Sequence, residues 1–269
     1  MIDICYCGNE KVFNGVLLSA LSIAKTTSEP LNIFLLTADI SYLKPVYVKI
    51  DEKSRDFIEK TIQKYNPESK VILVDATKEF KDTFSEGKNM NSMYTPYAFL
   101  RLLMDETPGL PDRILYLDVD TVALKDVSPL FHYDLGDKAA AVVHDAMREK
   151  NYFNSGVILF DLAKIKKEGL FKKTRAYLIG HKLMMPDQDA FNKIFKNNYI
   201  MISRIYNEQR LTKHDTVIRH YCQSIRVLPY FHIIKVKPWE RKRFASAYKR
   251  DNKRDIFAEF DALLLELNK

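Results

Sequence analysis

The amino-acid sequence predicts an α/β domain with a mostly parallel central sheet. Two observations carry this. First, short apolar runs alternate with segments of helical periodicity along the early part of the chain, as strands joined by crossover helices do. Second, Ile114-Leu115-Tyr116-Leu117 is apolar or aromatic at every position, which suits a strand buried on both faces, and it runs straight into Asp118 and Asp120. In an extended chain these two carboxylates point to the same face. Burying both costs free energy unless something positive meets them. Paired carboxylate oxygens suit Mg²⁺ or Mn²⁺, ions that often complete their shell with substrate phosphates. A solvated strand end is the plain alternative, because isolated D-x-D triplets are common.

The elements follow in order. Asp3 to Cys7 reads as a first strand, ended by Gly8-Asn9. Leu17, Ala20, Leu21 and Ala24 recur at helical spacing within 16–24. Leu31 to Leu36 is a second strand, 54–65 a helix with Ser54 as N-cap, and Val71 to Val74 a third strand. Residues 81–91 are polar and glycine-containing, so a loop and candidate lid is expected there. A helix carrying Arg101 is expected over 94–104, then a Pro-Gly turn and the strand into Asp118. Further strands are expected over 139–143, 157–160, 199–202 and 217–221. Helices are expected over 162–173 and 190–195, the latter capped by Met185-Pro186-Asp187-Gln188-Asp189. Pro238 and Trp239 close the compact part, giving a domain over 1–240. Residues 241–269 form a basic extension ending in an amphipathic helix, with Ile256, Phe257, Phe260, Leu263 and Leu264 inward.

Composition bounds the function. A chain of 269 residues with 46% hydrophobic and 29% charged residues can bury a large core and looks like an ordinary soluble globular protein. The longest uncharged stretch is too short to span a bilayer, and the N-terminus has no signal-peptide pattern. Three cysteines without framework spacing point to a reducing compartment, with Cys5 and Cys7 as small core or pocket-edge residues. The net charge of +7 favours an anionic partner without choosing one. No C-x-x-C, H-E-x-x-H, G-x-G-x-x-G or Walker-type loop occurs, which argues against zinc, dinucleotide and P-loop chemistry.

In α/β sheets ligands gather at the carboxyl ends of strands. The polar residues expected there are Asn9, Asp118, Asp120, Asp145 and His220. Each alone has a plain structural explanation. Four segments together are more specific. They are Arg101 ahead of Leu115-Tyr116-Leu117-Asp118-Val119-Asp120; Phe153-Asn154-Ser155-Gly156-Val157; Pro186-Asp187-Gln188-Asp189-Ala190-Phe191-Asn192; and Lys237-Pro238-Trp239. In order and spacing, from about residue 3 to about 240, they resemble the family 8 glycosyltransferases. That retaining group contains glycogenin and bacterial lipopolysaccharide galactosyl- and glucosyltransferases.

The resemblance implies a GT-A fold (Rossmann-like), a UDP-galactose or UDP-glucose donor, Mn²⁺ or Mg²⁺, and a saccharide or glycolipid acceptor of cell-envelope polysaccharide biosynthesis. By position, it implies that Asp118 and Asp120 hold the metal and that Asn9, Arg101, Asp118 and Asn154 contact the donor. Asp187 would bond the sugar hydroxyls, Gln188 would sit beneath the anomeric carbon and Lys237 would meet the diphosphate. Two departures stand out. Gly8-Asn9-Glu10-Lys11-Val12 replaces the family's usual uridine-binding run. His220 lies seventeen residues before Lys237 and His232 only five, where the family shows one histidine six residues before the lysine. His220 is the expected third metal ligand, with 222–231 an inserted excursion; His232 is the alternative. The expected activity is metal-dependent, retaining hexosyl transfer, with Asp187 and Gln188 at the reacting centre. A non-catalytic sugar-nucleotide or polyanion-binding protein is the alternative. A cytoplasmic location is expected, peripheral at the inner face of the membrane if the basic extension rests on anionic lipid. Nucleic acid is not an expected partner.

Overall fold

The computed structural model describes residues 1–90, 92, 94–226 and 232–267. The first part of the chain holds β1 (Ile2–Cys7), α1 (Phe13–Thr26), β2 (Leu31–Thr37), α2 (Glu52–Gln63), β3 (Lys70–Asp75), α3 (Thr77–Phe84) and a 3₁₀ helix at Pro96–Leu103. Next come β4 (Arg113–Leu117), β5 (Thr121–Ala123), α4 (Ser128–Phe131), β6 (Ala140–His144), β7 (Phe153–Asp161), α5 (Leu162–Glu168), α6 (Leu170–Gly180) and α7 (Pro186–Ile194). The rest comprises β8 (Tyr199–Met201), β9 (Ile218–His220), β10 (Ser224–Arg226), β11 (His232–Ile234), α8 (Arg241–Ala247) and α9 (Asp255–Leu267).

The central seven-stranded sheet has the order β3-β2-β1-β4-β7-β6-β8. Within it β3, β2, β1 and β4 are mutually parallel and β6 is parallel to β8, while β7 opposes both its neighbours. The sheet is therefore mostly parallel, as expected. The chain moves outward from β1 to β3, then returns to place β4 on the other side of β1. Such a reversal opens a crevice beyond the carboxyl ends of β1 and β4. Residues of β1 and β4 alternate between two apolar clusters. Ile4, Tyr6, Leu115 and Leu117 join the cluster that includes α1 and α9. Cys5, Cys7, Ile114 and Tyr116 join the cluster that includes the 3₁₀ helix and α5 to α7. Cys5 and Cys7 are thus core residues, and all three cysteines are free.

The last elements pack on the first cluster. Phe244, Tyr248, Ile256, Phe257, Phe260 and Leu263 are buried in it, with Leu264 against it, on the helix face that the sequence marks as inward. The Phe244 and Phe257 rings lie 4.7 Å apart, and Arg241 covers Phe257 while pairing with Asp261.

Several local expectations change. Asp51, not Ser54, caps α2, its carboxylate accepting from the Ser54 N–H at 2.8 Å; the shorter reach of an aspartate one turn earlier wins. Residues 81–84 belong to α3 rather than to a loop, because Phe80 and Phe84 are buried one turn apart; Asn91 lies outside the described residues. The segment around Arg101 is a 3₁₀ helix over 96–103. The helix over 162–173 is broken into α5 and α6 by Gly169, whose φ of 64° is left-handed and suits glycine. Asn154, Ser155 and Gly156 lie within β7, not before it. Pro186 occupies the first turn of α7, so Asp187, Gln188 and Asp189 are helical rather than a preceding cap.

Candidate active site

β4 ends at Leu117, and Asp118 opens a turn. Its carbonyl accepts from the Thr121 N–H at 3.1 Å and the Thr121 hydroxyl at 2.8 Å. The chain is not extended here, so strand alternation is not what aligns the two carboxylates; the turn folds them toward one point. β5 then pairs antiparallel with β9, setting Thr121 opposite His220, and the Tyr221 N–H bonds the Asp120 carbonyl at 2.9 Å. This ladder brings His220 to the carboxylates across a hundred residues of sequence.

One ligand atom each from Asp118, Asp120 and His220 lies within 4.8 Å of the others, and among the described residues this is the one such group. His220 Nε2 is 3.1 Å from Asp120 Oδ1 and 3.7 Å from Asp118 Oδ2. Gly156 makes room for the ring: a Cβ there would come 2.2 Å from His220 Cε1 and 2.9 Å from Asp118 Oδ2. The Lys237 ammonium bonds Asp120 Oδ2. Burial alone would raise the Asp120 pKa, but Lys237 and His220 hold its carboxyl well below the usual range. His232, just past the excursion expected over 222–231, lies on β11, which pairs antiparallel with β10 inside that excursion. Its side chain and residues 227–231 are outside the described residues.

Arg101 is buried and organises the next layer. Its guanidinium lies 3.4 Å from Asp118 Oδ1 and 3.1 Å from Asp187 Oδ2, donates to the Ser155 carbonyl at 2.6 Å and stacks 4.2 Å over the Tyr116 ring. Tyr116, two residues before Asp118, donates its hydroxyl to Asp118 Oδ1 at 2.7 Å. Burial raises the Asp187 pKa, and Arg101 opposes that rise. The Arg101–Asp187 pair therefore joins the first turn of α7 to the carboxylate at the end of β4.

Gln188 and Asn154 meet at Asp145. Gln188 Nε2 donates to Asp145 Oδ2 at 2.9 Å, and Asn154 Nδ2 donates to the same oxygen at 3.3 Å. Gln188 Oε1 accepts from the Ser155 N–H at 3.0 Å and from Asn154 Nδ2 at 3.3 Å. Asp189 stands apart: its Oδ2 accepts the N–H groups of Met184 and Met185 and its Oδ1 the Tyr152 hydroxyl. Asn9 is buried at the end of β1, where its Nδ2 reaches the Val46 carbonyl at 3.4 Å; no described hydrogen bond joins it to the Asp118–Gln188 network. Sequence reasoning missed Asn207, which is 1% exposed and bonds both His220 and Asn154. Its one signal was the polar run Asn207-Glu208-Gln209, whose burial no local pattern announces.

A donor set of two carboxylates and one imidazole nitrogen fits a hard or borderline divalent cation. The Lys237 ammonium against Asp120 shows that this pocket already accommodates positive charge.

The family model described as Glycosyl transferase family 8 matches residues 3–243. A lipopolysaccharide 1,2-glucosyltransferase of Escherichia coli K12 is 36% identical over 126 residues, 40% of this chain and 37% of that protein. General stress protein A of Bacillus subtilis is 27% identical over 177 residues, 60% of each chain. The chain thus aligns with less than two thirds of either relative's length. Among solved structures, the galactosyltransferase LgtC in complex with donor and acceptor sugar analogues superposes with a TM-score of 0.70 at 20% identity. That match covers 97% of this chain and 95% of that one, and it shows that the fold is GT-A.

Proposed function

The chain belongs to glycosyltransferase family 8, and from that membership we propose that it is a metal-dependent retaining hexosyltransferase. It moves galactose or glucose from a UDP-sugar to a saccharide or glycoconjugate acceptor of cell-envelope polysaccharide. The observation that carries this reading is the convergence of Asp118, Asp120 and His220 within 4.8 Å beyond the carboxyl end of β4, beside Lys237.

In this reading Asp118, Asp120 and His220 hold Mn²⁺ or Mg²⁺. When bound, the ion stabilises negative charge developing on the UDP leaving group. Lys237 leaves Asp120 to meet the diphosphate and adds its own charge there. Arg101 holds Asp118 and Asp187 in place, leaving Asp187 to accept sugar hydroxyls. Asn9 and Asn154 complete the donor contacts. The anomeric carbon exchanges its bond to the diphosphate oxygen for one to the acceptor oxygen on the same face, and the acceptor hydroxyl's proton passes to the departing UDP. A covalent intermediate needs a carboxylate nucleophile. Asp187 is tied to Arg101, Asp189 to the backbone ahead of α7, and the Gln188 amide oxygen to the Ser155 N–H. Front-face attack asks none of them to leave these partners.

A thermal-shift screen of UDP-sugars with and without Mn²⁺ tests this. A ligand at a hundred times its Kd stabilises by about 2.7 kcal/mol. The expected result is a shift with UDP-galactose or UDP-glucose that requires Mn²⁺. The same shift in EDTA would contradict the metal site. A shift without any turnover would favour the non-catalytic alternative.

Peripheral membrane contact is a second proposal. Among the described residues no helix is long and apolar enough to cross a membrane. Lys242, Lys249, Arg250 and Lys253 are exposed near α8, while the apolar side of this segment faces the core. Each basic residue close to an anionic bilayer contributes about 1 kcal/mol. Co-sedimentation with anionic but not neutral vesicles is expected; equal recovery with both would leave only a solvated basic face.

A further inference from the structure

We propose that Asn207 is a positioning residue that fixes the metal-binding face of His220 and ties it to the amides of Asn154 and Gln188. This deepens the metal-site reading given above and rests on it.

Asn207 lies outside every motif that marks the site in sequence, yet it is 1% exposed and its side chain bridges two groups of the site. Its Oδ1 is 3.0 Å from His220 Nδ1, and its Nδ2 is 2.9 Å from Asn154 Oδ1. The polarity of this bridge is fixed from the backbone. A backbone N–H can only donate. The Gly156 N–H points at Asn154 Oδ1 at 3.0 Å, so that atom is the acceptor end of Asn154. The end of Asn207 that faces it must then be the NH₂, which leaves Oδ1 for His220. Facing an acceptor, His220 Nδ1 carries a proton, which leaves Nε2, on the side of Asp118 and Asp120, as the nitrogen that would ligate a cation held between them.

The same reasoning fixes the far end. The Ser155 N–H donates to Gln188 Oε1 at 3.0 Å, so the Gln188 NH₂ faces Asp145, with Nε2 to Oδ2 at 2.9 Å. One directed chain therefore runs from His220 through Asn207, Asn154 and Gln188 to Asp145. Every donor in it has an acceptor, and two backbone groups of β7 set its direction. Groups that orient a metal-ligating histidine through its second nitrogen are worth about 10–100-fold in metal affinity.

Calorimetric titration of Mn²⁺ into the full chain with UDP present tests this. Asn207→Leu keeps the volume and removes both hydrogen bonds; its Mn²⁺ affinity is expected to fall about 10–100-fold. Asn207→Asp keeps an acceptor for His220 Nδ1–H but sets an acceptor oxygen against Asn154 Oδ1, so its affinity is expected to fall less than that of Asn207→Leu, a partial rescue that a purely packing role would not produce. Where the leucine variant loses its cooperative melting transition, Asn207→Ser, too short to reach the ring, carries the same expectation. His220→Ala is the control. Weakened binding in His220→Ala with parent affinity in Asn207→Leu would overturn this inference alone. Parent affinity in His220→Ala would overturn the metal reading and this inference with it. An aspartate variant as weak as the leucine variant would also overturn it.

Discussion

Asp120→Asn is expected to abolish sugar transfer while leaving the fold in place, and EDTA is expected to do the same to the parent protein. Asn keeps the shape of Asp120, and the backbone bond from Tyr221 N–H to the residue 120 carbonyl is unaffected. What the substitution removes is the charge that meets His220 Nε2 at 3.1 Å and the Lys237 ammonium. Both the cation and the lysine lose their anchor together. Removing one preorganised electrostatic contact of this type costs about 10²–10³ in kcat; here two are disturbed, so at least that loss is expected. The measurement is kcat with saturating UDP-sugar and Mn²⁺, beside a melting curve. Full activity of the Asn variant in Mn²⁺ would remove Asp120 from the metal site.

Arg101→Met is expected to be damaging in a different way. Arg101 is 3% exposed and is the cation paired with both Asp118 and Asp187. Removing one partner of a buried ion pair costs about 3–5 kcal/mol, because Asp187 is left buried without a cation, whereas Asp118 keeps the Tyr116 hydroxyl. For a chain of this size that corresponds to a fall in Tm on the order of 10 °C. The deficit also has a pH signature. Burial already raises the Asp187 pKa, and without Arg101 it rises further. A carboxyl whose folded pKa exceeds its unfolded value takes up a proton more readily when folded. Its contribution to stability therefore improves as pH falls through the folded pKa. The gap in Tm between parent and variant is thus expected to narrow from about pH 8 to about pH 5. A gap that stays constant or widens over that range would show that Asp187 is not the group left uncompensated.

The fold was largely legible because its signals are local. Apolar runs 4–7, 33–36 and 114–117 are continuous in strands buried on both faces, 71–74 marks an edge strand that stays part-exposed, and the inward residues of α9 sit at helical spacing. The acids Asp118, Asp120 and Asp187, and Gln188, were legible as strand-end and helix-start motifs. Other features were decided by partners far away in sequence. Pairing with β4 and β6 makes β7 antiparallel and places Asn154 inside a strand. The break at Gly169 was visible as a glycine, but a basic helical pattern on both sides masked it. The His220 position depends on the short β5–β9 ladder, and Asn207 on a loop that folds back against it. Neither leaves a periodicity. Asp118 and Asp120 converge, though through a turn and not through the strand alternation the sequence implied.

The central claim is hexosyl transfer with retention at a metal site. It is tested most directly by proton NMR of the anomeric signal while the protein turns over UDP-glucose or UDP-galactose in Mn²⁺, with water or a saccharide as acceptor. The account predicts that the first hexose released, before mutarotation, is the α-anomer of the donor and that its appearance stops on adding EDTA. A β-anomer appearing first, or turnover undiminished by EDTA, would contradict it.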